Sequence, residues 1–504
     1  MADTRKRRAI LNTVFSLVCQ GITLLCGFIV PRCLIKAFGS EIYGATASIT
    51  QFLGYIVLLE GGIGAVAKTA LYKPLADNDM EKVGKVLAEV RRFFHILVLI
   101  FIPYVIILAA GYKSLSRFEA MNRLSTAVLV IVISLSTFAQ YYIGITYSLF
   151  LQAAQKAYIT HIITIGSTAL NTIAIVLLIN LGQNIIIVKL ASSCVFILKP
   201  VCMMLYVKKR YKINTGVRSD DTEIQQKWSG LGQHIAFFIY SNTDTAVLTI
   251  TGNLTAVSVY SVYNMVVGQL RSLTSSIAGG MESLFGDMVA KKEMKTLYVT
   301  FSYYETLISF ITNIVFSTAM VMIVPFVKIY TASFDDANYI EPLFGGLLML
   351  SAVVYLLRLP YMVLIHAAGH FSQTAAAAYG EAIINIVLSL ILVHRFQLPG
   401  IAAATLIATA FRFVYYVVYL KFHILERAVR LAVRRLLVNA LAFSVIFGAG
   451  NAFVLRFPAA NYPAWALRGA AVFAAAGIVT TAANFVFYRD ECLTIGRKLL
   501  GRGK

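Results

Sequence analysis

Apolar runs of about 20 residues, each able to cross roughly 30 Å of hydrocarbon as a helix, recur along the whole chain. We place about fourteen of them, at 10–35, 42–66, 93–111, 124–150, 159–181, 185–207, 232–252, 256–285, 297–325, 342–366, 375–394, 400–421, 436–457 and 465–488. No other feature restricts the chain as much. Lipid offers no water to backbone N–H and C=O groups, so each segment that crosses it must satisfy them internally. Only 13% of the 504 residues are charged and 59% are hydrophobic, whereas soluble proteins carry about 25% charged residues. The predicted fold class is an all-α polytopic membrane protein.

The formal charge of +21 suggests a nucleic-acid partner, but its distribution argues otherwise. With the N-terminus inside, about 30 of the 44 Lys+Arg fall on the cytoplasmic side, about 8 outside and about 6 within spans. The inside clusters run from Arg5 to Arg8, Lys82 to Arg92, Lys208 to Arg210, Lys291 to Lys292 and Arg427 to Arg435, with a basic tail. This is the positive-inside pattern, met by an even span count with both termini cytoplasmic. The clusters serve as topology signals beside anionic lipid.

One segment reads as two copies at a constant offset. Ala153 and Ala154 fall on Ala367 and Ala368, Thr160 on Thr374 and Asn171 on Asn385, while Ala76 falls on Ala290 and Met80 on Met294. Six spans then make each half, which preserves orientation and gives a parallel repeat about the membrane normal. The expected domains are an N-terminal six-helix bundle (1–207), a cytoplasmic linker (208–231), a C-terminal six-helix bundle (232–421), and two extra helices with the basic tail (422–504). Such internal repeats mark alternating-access transporters.

Other classes find little support. The first 35 residues begin basic and turn apolar, but the run is too long for a signal peptide and holds Asn12, Ser16, Gln20 and Thr23 on one helix face. Six cysteines are present. Cys19, Cys26 and Cys33 roughly share a face without His or carboxylate partners at ligand spacing, so neither a metal site nor a disulfide framework is predicted. No phosphate-loop motif appears, and no extramembrane stretch is long enough for a catalytic or nucleotide-binding domain. No enzymatic activity and no cofactor is expected.

Polar residues inside spans mark candidate function. Tyr260, Asn264, Arg271, Thr274 and Glu282 fall at helical spacing on one face of the eighth span, with Arg271 near its middle. Arg271 either lines a wet cavity or pairs with Asp244 of the seventh span. Asp244 is a coupling-ion ligand or that counter-ion. Glu60 precedes a glycine cluster that loosens its helix; it is a second candidate for ion coupling, by Na+ or H+, or simply ends the helix at the interface. Arg32, after Pro31, either snorkels outward or lines the cavity, and Arg358, beside Pro360, is similar. Arg412 lies toward the inner half of the twelfth span with Tyr415 and Tyr416. Cations outnumber carboxylates in the spans, which favours an anionic substrate.

A family resemblance rests on Pro31, Phe38-Gly39-x-x-x-Tyr43-Gly44, Leu58-Leu59-Glu60-Gly61-Gly62-Ile63-Gly64, His366-Ala367-Ala368-Gly369-His370-Phe371-x-x-Thr374 and Glu381-Ala382-x-x-Asn385-x-x-x-Ser389. Over nearly its full length the chain resembles the polysaccharide transporters. These are the Wzx-type oligosaccharide flippases of the bacterial MOP superfamily, which also holds the lipid II flippases and the MATE multidrug exporters. The resemblance implies two six-helix bundles around a V-shaped central cavity, two further helices, and residence in the bacterial plasma membrane. It implies alternating access that turns an undecaprenyl-pyrophosphate-linked oligosaccharide to the outer leaflet for cell-surface polysaccharide synthesis. Polysaccharide polymerases and glycosyltransferases are the partners it suggests, besides membrane lipids. Cavity arginines are then expected to hold the pyrophosphate, Arg32 and Arg271 fitting best, with Asn264, Tyr260, Arg358 and Arg412 as further head-group candidates. The exporter branch typically carries an acid in span 1, which is absent here. The competing readings are a cation-coupled exporter of small organic molecules, a lipid II or sporulation-type flippase, a glycan polymerase or ligase, and a non-transporting envelope scaffold.

Overall fold

The computed structural model describes residues 2–60, 63–211, 231–278 and 281–489. Most of the expected linker at 208–231, and the basic tail from 490, lie outside these residues. The chain divides into two compact units, one of Met1–Phe238 with Leu248–Ser258 and one of Ile239–Val247 with Val259–Lys504.

The first unit contains α1 (Ala2–Phe38), α2 (Ser40–Leu53), α3 (Val57–Glu60), α4 (Ile63–Ala76), α5 (Met80–Ser116), α6 (Arg123–Ala139), α7 (Ile145–Ala153), α8 (Ala157–Asn180) and α9 (Ile185–Tyr211). Within it α1 packs on α8, α8 on α9, and α6 on both α5 and α9. Side chains cap the first turns of two of these helices. Asp79 accepts from Lys82 N at 3.0 Å to cap α5, and Asn122 accepts from Ser125 N at 2.8 Å to cap α6. A five-residue π turn, Gln140–Gly144, joins α6 to α7.

The glycines of the Phe38–Gly44 motif have separate structural causes. Gly39 lies between α1 and α2 at φ 86, which side-chain-bearing residues rarely adopt. Gly44 brings α2 against the backbone at Leu254, where a Cβ would stand 1.8 Å from the carbonyl oxygen. Close approach forbids any side chain there.

The remaining helices are α10 (Leu231–Ile250), α11 (Leu254–Ala278), α12 (Glu282–Ala290), α13 (Met294–Tyr330), α14 (Pro342–Ala367), α15 (Ala375–His423), α16 (Val429–Arg456) and α17 (Tyr462–Phe487). In the second unit α14 packs on α13 and α15, and the α16–α17 pair packs on α13. Val321 and Met322 of α13 meet Val454 and Val472 in one apolar cluster, and Trp465 Nε1 donates to the Met322 carbonyl at 3.0 Å.

Among the described residues, eleven helices are long and apolar enough to cross a membrane. The spans expected at 375–394 and 400–421 are joined in α15, whose Gln397 breaks the helical geometry at φ 48 and ψ −127, two residues before Pro399. Helices α10 and α11 are not among the eleven, because they carry the polar residues on which function was expected. Glu282, expected on the face of Tyr260 and Arg271, opens α12 and is exposed, whereas those two residues lie on α11; Gly279 and Gly280 lie outside the described residues.

The two units use similar punctuation. Helices α5 and α13 each run 37 residues and begin at Met80 and Met294. Each follows a left-handed residue, Asn78 at φ 55 or Lys292 at φ 58, and Gln155 (φ 58) recurs as Gly369 (φ 77).

Gly44→Ala is expected to destabilise the protein by roughly 1–3 kcal/mol through overpacking on the Leu254 backbone. Thermal denaturation of the purified protein checks this, with Gly21→Ala, where a Cβ meets nothing within 4 Å, as the tolerated control.

Candidate functional site

The second unit concentrates its buried ionisable groups in three places. The first surrounds Asp244 on α10, which is 5% exposed. Tyr260 of α11 donates its hydroxyl to Asp244 Oδ2 at 3.0 Å. The Thr405 hydroxyl of α15 lies 3.0 and 3.2 Å from the two carboxylate oxygens, and Asn385 Nδ2 donates to Thr405 Oγ1 at 3.0 Å. The Asn385 Oδ1 is buried without a hydrogen-bond partner. Polar groups from α10, α11 and α15 thus gather at one buried carboxylate: two hydroxyls that donate to it, and the Asn385 amide that donates to Thr405. No group of three His, Cys, Asp or Glu that could hold a metal ion occurs among the described residues.

The second place is Glu381 on α15, which is fully buried. Arg358 of α14 donates Nη1 to Oε1 at 2.5 Å, and Arg412 donates Nη1 to Oε2 at 2.6 Å. Arg412 also reaches the Tyr416 hydroxyl, one turn along α15, from Nε at 3.0 Å and Nη2 at 2.7 Å. Two guanidinium groups on one carboxylate leave a net positive charge.

The third repeats that stoichiometry. Glu305 of α13 receives Arg427 Nη2 at 2.6 Å and Arg435 Nη1 at 2.5 Å, and Tyr361 donates its hydroxyl to the other carboxylate oxygen. Arg435 also donates to the Ser302 carbonyl at 3.2 Å. Arg427 precedes α16 and Arg435 lies in its first turns, so this cluster ties the α16–α17 pair to α13 and α14.

Arg271 differs from these four arginines. It is half-buried on α11 and makes no ion pair among the described residues. Its guanidinium instead lies 5.1 Å from the centroid of the Tyr355 ring, which Arg358 also approaches at 4.9 Å. The alternative of a direct Asp244–Arg271 pair is not what the structure shows: the carboxylate bonds to hydroxyls, and Arg271 acts on it only through space. Asn264 is half-buried on the same helix.

Arg358 and Arg412 come together on Glu381 rather than standing as separate cations. In the first unit Arg32 is half-buried on α1, and Glu60 ends α3, half-buried. Sequence reasoning gave Glu381 no role beyond its place in a family motif, and missed Glu305, Thr405 and Tyr355. A signal existed for the two glutamates, since a carboxylate within an apolar span calls for a cationic partner. Tyr355 and Thr405 had none, because both types are common in spans.

No protein-family model matches the chain, and no curated protein matches it in sequence. Solved structures match it in fold. A lipid II flippase, MurJ, in an inward closed conformation aligns with a TM-score of 0.70 at 14% identity, over 95% of this chain and 99% of that one. An inward-facing multidrug resistance MATE family transporter of the MOP superfamily aligns at 0.58 and 14% identity, over 82% and 97%. A MOP superfamily transporter from Pyrococcus furiosus, described by a reversed polarity of its binding pocket, aligns at 0.56 and 13% identity, over 84% and 97%. The chain therefore has the all-α, multi-pass fold of MOP-type membrane transporters.

Removing Glu381 strands two buried guanidinium groups. Glu381→Gln is expected to destabilise the protein by about 3–5 kcal/mol, the range for breaking a buried pair from one side. Arg271→Ala strands no carboxylate and is expected to cost less than about 1.5 kcal/mol, the smaller scale of a lost cation–π contact. Denaturation of both purified variants in one detergent checks the contrast.

Proposed function

We propose that the chain is a transporter, not an enzyme, and a member of the MOP superfamily. In this reading it turns an oligosaccharide linked to undecaprenyl pyrophosphate across the bacterial plasma membrane for cell-surface polysaccharide synthesis. The observation that carries the proposal is the contrast between Arg271 and its neighbours. Four buried arginines are matched by Glu305 and Glu381. Among the described residues Arg271 makes no ion pair and lies over an aromatic ring. A guanidinium within a membrane is costly unless it is paired or faces a wet cavity. A pyrophosphate stripped of water needs fixed cations, and a guanidinium meets its oxygens with a two-pronged fork. The fold likeness to a lipid II flippase supports a pyrophosphate-linked glycan as substrate class. Asn264, on the same helix as Arg271, is a proposed head-group contact.

Asp244 is proposed as the ligand of a coupling cation. The hydroxyl oxygens of Tyr260 and Thr405 beside the carboxylate are the further ligands proposed, and Na+ is the cation proposed. This arrangement, with the fold likeness to MATE transporters, also supports the second reading, a cation-coupled exporter. The charge of Arg271 disfavours the cationic organic compounds such an exporter could carry.

Arg271→Ala is expected to lower surface display of the glycan by roughly 30-fold or more in cells that depend on this chain, the scale of truncating one partner of a desolvated charge pair. Arg271→Lys should retain part of the activity, because the charge survives and the fork does not. Membrane protein levels should be unchanged in both; normal display with Arg271→Ala overturns the reading. Purified protein should bind radioactive sodium, and Asp244→Asn should not. Drug resistance without any change in surface glycan would favour the exporter.

A further inference from the structure

We propose that Tyr355 is a positioning residue that aims the Arg271 guanidinium at an anionic phosphate or pyrophosphate; the inference rests on the role proposed for Arg271. The geometry forms a continuous chain of contacts. Tyr416 accepts from Arg412, Arg412 and Arg358 hold the two oxygens of Glu381, Arg358 faces the Tyr355 ring, and the ring faces Arg271. The inner members are immobile by construction, since Glu381 is 0% and Arg358 1% exposed and each is bound at 2.5 Å. Tyr355 and Arg358 are three residues apart on α14, so ring and guanidinium share one helix face. Arg271 is the terminal, half-buried member, on a different helix.

An unsupported arginine side chain samples many rotamers and loses that freedom when it binds. A ring that Arg358 also contacts removes part of the loss in advance, because the Arg271 guanidinium already lies over it. A cation–π contact does not use up the N–H donors of the guanidinium. Those donors are what phosphate oxygens require. The net positive charge of the Arg358–Glu381–Arg412 cluster adds to the attraction for an anion without contacting it.

The test uses the full chain in lipid nanodiscs and inorganic pyrophosphate as a soluble probe, with calorimetric Kd and thermal stability read on each variant. Tyr355→Leu should weaken binding by about 3- to 30-fold, the range of a desolvated cation–π contact. Tyr355→Phe and Tyr355→Trp should bind within about twofold of the parent, because both keep an electron-rich face. Pentafluorophenylalanine at position 355 keeps the shape and withdraws electron density from the ring, so it should weaken binding as leucine does. This variant decides the matter where Tyr355→Leu does not fold. Loss of stability with unchanged Kd, equal binding by the fluorinated variant, or loss of binding in Tyr355→Phe would each overturn the proposal. Arg271→Ala separates the two levels. If it still binds pyrophosphate like the parent, the anion role of Arg271 fails; if it loses binding while the ring variants do not, only the role of Tyr355 fails.

Discussion

A carboxylate sealed among apolar helices cannot remain charged without cations, and Glu381 meets that requirement twice over. Its two oxygens are taken by Arg358 and Arg412, so α14 and the two segments of α15 are bound at one point. The kink at Gln397 makes this possible, since Glu381 precedes it and Arg412 follows it. Such pairs are weak evidence of stability compared with an apolar core, but breaking one from a single side is expensive. Their best physical use is to fix one arrangement of helices. Glu305, with Arg427 and Arg435, does the same for the α16–α17 pair.

The second unit thereby places a buried acid, and an arginine that makes no ion pair among the described residues, on successive helices. Asn385 lies one turn beyond Glu381 on α15, so the helix that carries the structural carboxylate also supplies the amide that donates to Thr405 beside Asp244. Arg358, bound to Glu381, reaches the same ring as Arg271. The proposed cation ligands and the proposed anion ligand are therefore supported by one rigid cluster, a suitable basis for a transporter in which the two charges are handled in turn.

Much of this architecture was legible in the sequence. Apolar run length located most of the spans, because the hydrocarbon thickness sets their size. The paired positions Met80 and Met294 do begin helices of equal length. Arg271 stood out because an arginine inside an apolar run is rare whatever it touches. What could not be read was pairing. Glu381 is 23 and 31 residues from its partners, and Glu305 is 130 from Arg435. Charge alone made Arg358 and Arg412 look like cavity cations, when Glu381 binds both. The separate helix α12, which Glu282 opens, was missed because hydropathy alone does not mark its start. Tyr355 escaped because its significance depends on what lies over its ring.

The central claim is that this chain moves a pyrophosphate-linked head group, and the identity of the charged group tests it most directly. The purified protein would be reconstituted in vesicles with a fluorescent sugar carried either on a short polyprenyl pyrophosphate or on the uncharged polyprenol, and the label in each leaflet would be measured by quenching from outside. The account predicts protein-dependent inversion of the pyrophosphate form and none of the uncharged form. Inversion of both at equal rates, or movement of an organic cation dye while the pyrophosphate form stays in place, would contradict it.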